Sequence, residues 1–223
     1  PSRHPHSRGQ GDAFQKRQEL RMKLSKGHKL LILGILLVII DQVAKYLVKT
    51  NMTLGEQFNV IGNWFRILFV ENEGMAFGMK FGGKVGKLIL TLFRLVLSGA
   101  LIWWISSLLK KKETPTGVLA GLTLITAGAI GNLIDCMFYG LIYSPSGWNE
   151  VAFLGGHYAP MMFGKVVDML YFPIINTTWP EWMPLVGGKA FTFFDPVFNF
   201  ADSCVTVGAA YLLLFQYKFF TNN

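Results

Sequence analysis

Four aspartates lie in strongly apolar stretches of this chain, where a charged side chain is costly. Asp41, Asp135 and Asp202 fall within or at the edge of long apolar runs, and Asp168 lies in the apolar stretch 165–170. Acids in such places are rare and indicate function. Two carboxyls held close together share one proton, so that one activates a water while the other donates to a carbonyl. The pattern predicts aspartic-peptidase chemistry wherever two of these acids converge.

The neighbours of these acids follow helical spacing. Asp41 and Lys45 are four residues apart, so they share a helix face and can form an ion pair whose role is structural or functional. Asn132 precedes Asp135 by three residues, and Asn199 precedes Asp202 by three. Each amide then lies on the same side of a helix as its carboxylate, although Asn199 could serve only as a helix cap. On spacing alone, Asp135 is the better candidate for the reactive pair.

The elements that position these residues are expected to be membrane helices. Of 223 residues, 52% are hydrophobic and 15% are charged, which excludes disordered chains, collagens and disulfide scaffolds. A helix needs about 20 apolar residues to cross a bilayer. We therefore predict an all-α integral membrane protein with four transmembrane helices, a small extracytoplasmic β element and a long irregular outer segment. The predicted spans are about 29–48, 85–109, 116–137 and 199–220.

Lysines set the expected orientation, because cytoplasmic flanks of membrane spans are rich in basic residues. Both termini are expected in the cytoplasm, and the connections 49–84 and 136–198 outside. The acids would then lie toward the outer boundary. The lysines that indicate this orientation are Lys23, Lys26, Lys29, Lys110, Lys111, Lys112 and Lys218.

The two outer connections differ in composition. Residues 58–70 are β-branched and aromatic and end at a Glu-Asn-Glu-Gly turn, which predicts a small hairpin. Residues 140–198 are rich in proline and tryptophan, which favours an irregular segment on the outer leaflet.

Other chemistries find little support. The chain lacks G-x-S-x-G and H-E-x-x-H motifs, which are typical of serine hydrolases and zinc peptidases. Ser203 beside Asp202 stays open as a nucleophile. Cys136 and Cys204 lie in apolar surroundings and are expected to be packed free thiols. Most of the net charge of +8 is concentrated at the N-terminus, so the body lacks the basic face of a nucleic-acid binder.

Five motifs in order resemble those of one family, the bacterial lipoprotein signal peptidases, also called signal peptidase II. The resemblance covers about residues 29–220. The motifs are D-Q-V-A-K from Asp41, E-N-E-G-M-A-F-G from Glu71, G-N-L-I-D ending at Asp135, V-V-D ending at Asp168, and F-N-F-A-D-S containing Asp202.

The resemblance implies an intramembrane aspartyl endopeptidase without metal or other cofactor. Its substrate would be a lipid-modified prolipoprotein, cleaved on the N-terminal side of the diacylglyceryl cysteine. It also implies a monomer in the bacterial inner membrane, in contact with membrane lipid, open to globomycin-type inhibitors, with its active site toward the outer face. Asp168 and Asp202 take the catalytic positions. The substrate-binding or supporting positions are Asn72, Gly74, Asn132, Asp135, Asn199, Asp41 and Lys45.

The chain departs from the family pattern at one position. Cys136 follows the G-N-L-I-D motif, where the family usually has arginine. Arg94 in the second apolar run is a candidate replacement, with extension to the membrane interface as the alternative.

Residues 1–22 are expected to be a disordered or non-native tail, and residues 23–223 a single membrane peptidase domain. A proton- or ion-coupled transporter using Asp41, Asp135 and Asp202 is the alternative function. A membrane scaffold without catalysis is a third possibility.

Overall fold

The described part of the chain contains three long apolar helices. The computed structural model describes residues 25–73, 83–193 and 196–221. Helix α1 is Lys26–Asn51, α2 is Gly83–Lys110 and α3 is Thr116–Ile142, and each is long and apolar enough to cross a membrane. The first three predicted spans are therefore confirmed in length and composition. The predicted tail, residues 1–22, lies outside the described residues.

The fourth predicted span is shorter than expected. Helix α4, Phe200–Phe215, has 16 residues and is followed by a short helix α5, Tyr217–Thr221. A helix of this length rises about 24 Å, less than the hydrocarbon thickness of about 30 Å. It begins at the predicted position, directly after its cap Asn199, and is shorter because it ends at Gln216, whose backbone leaves the helical conformation. The count of four spans is not confirmed.

Helix α3 is the centre of the bundle, with α1, α2 and α4 packed around it. Glycines on α3 allow α4 to approach closely. A methyl group at Gly128 would overlap the Ala201 carbonyl oxygen, and one at Gly121 would lie 2.6 Å from Leu212 Cδ2. Small residues allow such close packing in membrane helices, where van der Waals contact between helices takes the place of the hydrophobic effect as the main attraction. The close contact brings the start of α4 against the C-terminal half of α3.

A four-stranded antiparallel sheet covers one end of the helices. Strand β1 is Gln57–Ile61, β2 is Phe65–Asn72, β3 is Val166–Tyr171 and β6 is Val197–Phe198, in the order β1-β2-β3-β6. A separate hairpin pairs β4, Ile175–Thr178, with β5, Ala190–Phe193. The hairpin predicted at 58–70 is confirmed.

Two expectations about fold class need revision. The all-α label is not confirmed, because the described residues include six strands. The segment 140–198 is not irregular throughout, because four of these strands lie in it. Strand β3 is buried over its first four residues, so it reads as a continuous apolar run rather than as the alternation typical of a half-exposed strand. Composition alone therefore concealed the strand that carries Asp168.

The register between β2 and β3 brings two predicted site residues together. Val70 pairs with Asp168, and Asn72 lies two residues further along β2. Diagonal neighbours in an antiparallel pair are within reach of each other's side chains. A hydrophobic cluster lies between the sheet and the ends of α1 and α3, and its packing supports this register. It contains Met52, Phe69, Tyr139, Tyr143, Val167 and Met169.

Candidate active site

Two aspartates meet where strand β3 approaches the start of α4. Asp168 lies in the middle of β3 and is 3% exposed, whereas Asp202 lies in the first turn of α4 and is half-buried. Asn199 touches both. Its Nδ2 donates to Asp168 Oδ1 at 2.7 Å, and its backbone N–H donates to Asp202 Oδ2 at 3.3 Å. The two carboxyl groups are thus neighbours across one residue.

Asn199 is held in place by its position as N-cap of α4. Its side-chain oxygen accepts a hydrogen bond from the Asp202 N–H at 2.9 Å, and the Asp202 carboxylate accepts from the Asn199 N–H in return. This reciprocal pattern is a capping box. Asn199 therefore both caps the helix and contacts the site. The spacing had left open whether it does one or the other. The Ser203 hydroxyl donates to the Asn199 carbonyl at 3.0 Å.

Side-chain amides surround the pair. Asn132 Nδ2 donates to Asp202 Oδ1 at 2.7 Å, and Asn72 Nδ2 donates to Asp168 Oδ2 at 3.2 Å. Asn132 also accepts from Asn199 Nδ2 at 3.0 Å. Within the described ranges, no lysine or arginine forms an ion pair with either acid. The pair is thus oriented by neutral donors.

The environment of Asp168 favours its protonated form. Burial, followed by repulsion from the Asp202 carboxylate, raises the pKa of Asp168 to about 7, and the amides of Asn72 and Asn199 only partly oppose this. A carboxyl with such a pKa exchanges its proton near neutral pH, as a general acid or base must. Because the two groups interact, the titration belongs to the pair.

A second acid cluster lies directly behind the first. Lys45 Nζ is 2.9 Å from Asp41 Oδ2 and 2.8 Å from Asp135 Oδ2, and all three side chains are fully buried. Its third contact is Asn132 Oδ1 at 3.0 Å. An ammonium group has three hydrogens, so these contacts satisfy Lys45 completely. The ion pair expected between Asp41 and Lys45 is present, and Asp135 completes it.

The second cluster supports the first through two contacts. Lys45 holds the oxygen of Asn132, whose nitrogen then points to Asp202. Asp41 Oδ1 accepts from the Ala201 N–H at 2.9 Å, at the open end of α4. A carboxylate at a helix N-terminus satisfies a free amide and the helix dipole. The cluster therefore fixes both the start of α4 and the orientation of Asn132.

The structure adds Gln42 to the predicted residues. Its Nε2 donates to Asp41 Oδ2 at 3.1 Å, to Asp135 Oδ1 at 3.0 Å and to the Gly131 carbonyl at 3.2 Å. The sequence signal was a polar residue beside Asp41 in an otherwise apolar run.

Asp135 reaches this cluster from a widened turn of α3. Residues Asp135–Tyr139 form a π-helical turn, which holds about one residue more than a regular α-helical turn. The Tyr139 hydroxyl donates to Gln42 Oε1 at 3.2 Å, and Asp135 Oδ2 accepts from the Val167 N–H at 3.3 Å. Asp135 thus joins α3 to the strand that carries Asp168.

A third buried charge group ties the end of α1 to the sheet. Lys49 contacts Glu71 and Ser146, and Lys165 Nζ is 3.1 Å from the second Glu71 oxygen. Burial raises the pKa of Glu71, but Lys49 and its hydrogen bond outweigh that effect, so the net pKa lies below the ordinary value. Glu71 precedes Asn72, so this group anchors the segment of β2 that reaches Asp168. It was not predicted from the sequence.

Cys136 lies where two cations of α2 converge. Arg94 Nη1 is 3.1 Å and Lys87 Nζ is 3.6 Å from Cys136 Sγ, and Lys87 also donates to the Glu73 carbonyl at 2.7 Å. Arg94 therefore points inward at Cys136 and does not extend only to the interface. Two cationic side chains of α2 therefore lie beside position 136. Both cysteines are buried free thiols, as predicted.

The structure brings together nearly every residue expected at the site. Asp168, Asp202, Asn72, Asn132 and Asn199 form one cluster, and Asp41, Lys45 and Asp135 form the cluster behind it. Gly74 lies outside the described residues.

Comparisons with known proteins find one family over most of the chain. The family model described as Signal peptidase (SPase) II matches residues 33–218. A lipoprotein signal peptidase of Porphyromonas gingivalis is 48% identical over 195 residues, covering 86% of this chain and 84% of the relative. One of Amoebophilus asiaticus is 37% identical, covering 82% and 75%. A solved bacterial membrane enzyme superposes with a TM-score of 0.58 at 25% identity, covering 87% and 91% of the two chains.

Proposed function

The chain belongs to the signal peptidase II family of aspartic peptidases, which cleave signal peptides from prolipoproteins, and we propose that Asp168 and Asp202 are its catalytic pair. The observation that carries this proposal is the shared contact with Asn199, which touches one oxygen of each carboxyl group. These acids are 34 positions apart in the chain and come from different elements. Their proximity therefore depends on the tertiary fold, as expected for a reactive pair.

The two acids take different roles because their surroundings differ. Asp168 is almost fully buried and has a pKa of about 7, so it carries the shared proton near neutral pH. Asp202 is half-buried and accepts hydrogen bonds from the Asn132 amide and the Asn199 N–H, which orient its carboxyl group. Asp202 is the base that activates water, and Asp168 is the acid that donates to the scissile carbonyl.

The reaction then follows from these two protonation states. Water attacks the carbonyl carbon as its proton moves to Asp202, and the Asp168 proton moves to the carbonyl oxygen. When the tetrahedral intermediate collapses, the carbon–nitrogen bond breaks and the departing amine takes the proton held by Asp202. The hydroxyl proton of the intermediate returns to Asp168, so both acids recover their starting states.

Asp135 is assigned a supporting role despite its favourable spacing. Its two oxygens are occupied by Lys45, Gln42 and the Val167 N–H, and the side chain is fully buried. A carboxyl group whose oxygens all contact protein groups is not open to a water or a scissile carbonyl. Asp41 and Lys45 take the same supporting role. Asn72, Asn132 and Asn199 orient the pair, and Gly74 keeps the substrate-contact role that the family resemblance implies.

The proposed substrate is a lipid-modified prolipoprotein cleaved before its diacylglyceryl cysteine. A lipid anchor holds the precursor at the membrane surface, so the scissile bond needs to travel little to reach acids at the rim of the bundle. We place this rim at the outer face and both termini in the cytoplasm, with α4 and α5 together as the fourth span. Residues 23–223 then act as a single domain, a monomer in the bacterial inner membrane inhibited by globomycin-type peptides.

The test is cleavage of a lipid-modified precursor by purified Asp168→Asn and Asp202→Asn variants. Each change removes a proton carrier but keeps the size of the side chain. Cleavage should fall about 10²–10⁴-fold, the usual contribution of a general acid or base. Thermal unfolding in the same detergent should show that both variants stay folded.

Glu150→Gln is the matched control, because Glu150 is an exposed acid of the outer segment. It makes the same chemical change and should leave cleavage unaltered. Near wild-type cleavage by either dyad variant, with the control also unaltered, would show that another group activates the water.

A further inference from the structure

An apolar groove runs along the bundle between α1 and α2. Its volume is about 620 Å³, and α3 forms its floor. The lining extends on α1 from Gly27 to Ile39, a rise of about 18 Å along the helix axis. Aliphatic side chains dominate this length, and Ser25 and His28 lie at one end. Thr123 and Thr126 also line the floor, but their hydroxyls donate to carbonyls of their own helix. The groove therefore has a largely apolar trough and a polar end.

The groove is separate from the proposed catalytic pair. Ile130 on α3 lines the groove, whereas Asn132 contacts Asp202. Residues two positions apart on an α-helix point about 200° apart. The groove and the acids are thus on opposite sides of α3, and an occupant of the groove does not need to be the peptide substrate.

The polar end of the groove is closed by contact between α1 and α2. A methyl group at Gly27 would touch Leu109 at 3.6 Å, and Lys26 Nζ donates to the Thr114 carbonyl at 3.3 Å. Ser25 Oγ and His28 Nδ1 share a hydrogen bond of 2.6 Å at this end. The closure joins the first turn of α1 to the connection between α2 and α3.

Positive charge surrounds this closed end. Five exposed lysines lie on the two joined segments, opposed by the single acid Glu113 among the described residues there. Basic clusters at the ends of membrane helices attract anionic lipid headgroups, by about 1 kcal/mol per lysine. The lysines are Lys26, Lys29, Lys110, Lys111 and Lys112.

We propose that the groove binds one anionic phospholipid, with an acyl chain in the trough and its phosphate against the lysines. The long apolar lining matches a hydrocarbon chain, and the charge at the closed end matches a phosphodiester. An apolar helix of a partner protein would fill the trough but leave the lysines unpaired. This inference does not depend on the peptidase assignment.

The test uses the full chain in nanodiscs of phosphatidylcholine and phosphatidylglycerol in equal amounts, with retained lipids counted by native mass spectrometry. The wild-type chain should retain one phosphatidylglycerol in preference to phosphatidylcholine. Ile35 lines the groove and is 50% exposed, so Ile35→Trp should fill the trough without burying new surface in the core. If the tryptophan excludes two methylenes of the acyl chain from the trough, retention of phosphatidylglycerol should fall about tenfold.

Leu36→Trp is the matched control, because Leu36 is 51% exposed and does not line the groove. A second pair of glycine variants repeats the comparison. Gly34→Leu would extend into the groove, where a methyl group meets only Thr123 Cγ2 at 3.4 Å, and Gly99→Leu would extend into open space. Only the groove member of each pair should lose the lipid.

The headgroup is tested separately with the combined changes Lys110→Gln, Lys111→Gln and Lys112→Gln. The preference for phosphatidylglycerol should fall about fivefold for each lysine removed. Lys84→Gln, at the opposite end of α2, should have no effect. Equal retention of both lipids by the wild-type chain, or equal losses within each matched pair, would overturn the proposal. A photo-crosslinker placed at position 35 should capture lipid, and capture of a polypeptide there would also overturn the proposal.

Discussion

Two clusters of aspartates lie side by side in this protein, and they differ in what surrounds them. Asp168 and Asp202 are held by the amides of three asparagines. Asp41 and Asp135 are held by the ammonium group of Lys45. The two clusters share Asn132, which contacts Lys45 with its oxygen and Asp202 with its nitrogen.

The difference lies in how charge is balanced. In the Lys45 cluster one ammonium group contacts both carboxyl groups and an amide oxygen, so all of its hydrogens are used. Amides orient a carboxyl group but compensate its charge only in part, so the pKa of Asp168 can rise to about 7. The cationic cluster therefore suits structure, and the amide cluster suits proton transfer.

The largest expected effect comes from Lys45→Met, which breaks the structural cluster. Two buried carboxylates would lose their counter-charge, at a cost of about 3–5 kcal/mol of folding free energy. Thermal unfolding and detergent-stable yield should both fall. The combined variant Lys45→Met, Asp41→Asn, Asp135→Asn should recover part of the stability, because no charge is then left unpaired. A single variant as stable as wild type would contradict the distinction.

The pH dependence of cleavage should reveal the proton of the other cluster. The raised pKa of Asp168, about 7, means that its acid form is lost as pH rises through 7. Because that acid form donates to the carbonyl, kcat/KM should fall about tenfold for each pH unit above that value. The measurement is a pH series at fixed ionic strength. A rate that continues to rise between pH 8 and 9 would exclude Asp168 as the acid.

Asn199→Ala should affect stability and catalysis together. The variant loses the N-cap of α4, about 1 kcal/mol, and also loses the amide that touches Asp168. Cleavage should fall about tenfold, as for one hydrogen bond to a charged group. Ser25→Ala is the matched control, because Ser25 caps α1 far from the site. It should cost similar stability without loss of cleavage, and a loss of cleavage there would make the effect one of folding.

The smallest expected effects come from one amide in each cluster. Asn72→Ala removes a donor that lowers the pKa of Asp168, so the alkaline limb of the pH profile should shift upward by less than one unit. Gln42→Leu should instead lower stability by about 1 kcal/mol and leave that limb in place. A shift of the limb in the Gln42 variant would mean that the clusters are not distinct.

The helices were predictable because their signal is local. Three apolar runs each met the length required to cross a bilayer, and helical spacing placed Lys45 beside Asp41. The fourth run was misjudged in length, because its end depends on a backbone break at Gln216. That break does not change hydropathy.

The site was predictable only in part, because its pairing is nonlocal. Spacing favoured Asp135 over Asp168, and the motif resemblance favoured the reverse. The strand around Asp168 carried no alternation, since both of its faces are covered by protein. The roles of Gln42 and Glu71 also depend on partners between 22 and 97 positions away. Such contacts become visible only once the elements are packed.

At position 136, side chains from two different helices reach the same place. A side chain that follows the G-N-L-I-D motif and one that comes from α2 reach the same place, so Arg94 and Lys87 can supply positive charge beside Cys136. The effect of a substitution at such a position therefore depends on the side chains around it and not only on the residue at that position.

The widened turn at Asp135–Tyr139 also restricts how this chain can change in length. Removing one residue from the turn would restore regular winding, and helical hydrogen bonds would then occupy the carbonyl groups of the turn. Met162 and Gly164 would lose the Met137 and Cys136 carbonyls that accept from their N–H groups. Insertions and deletions should therefore be tolerated in the loops after residue 145 but selected against within these five residues.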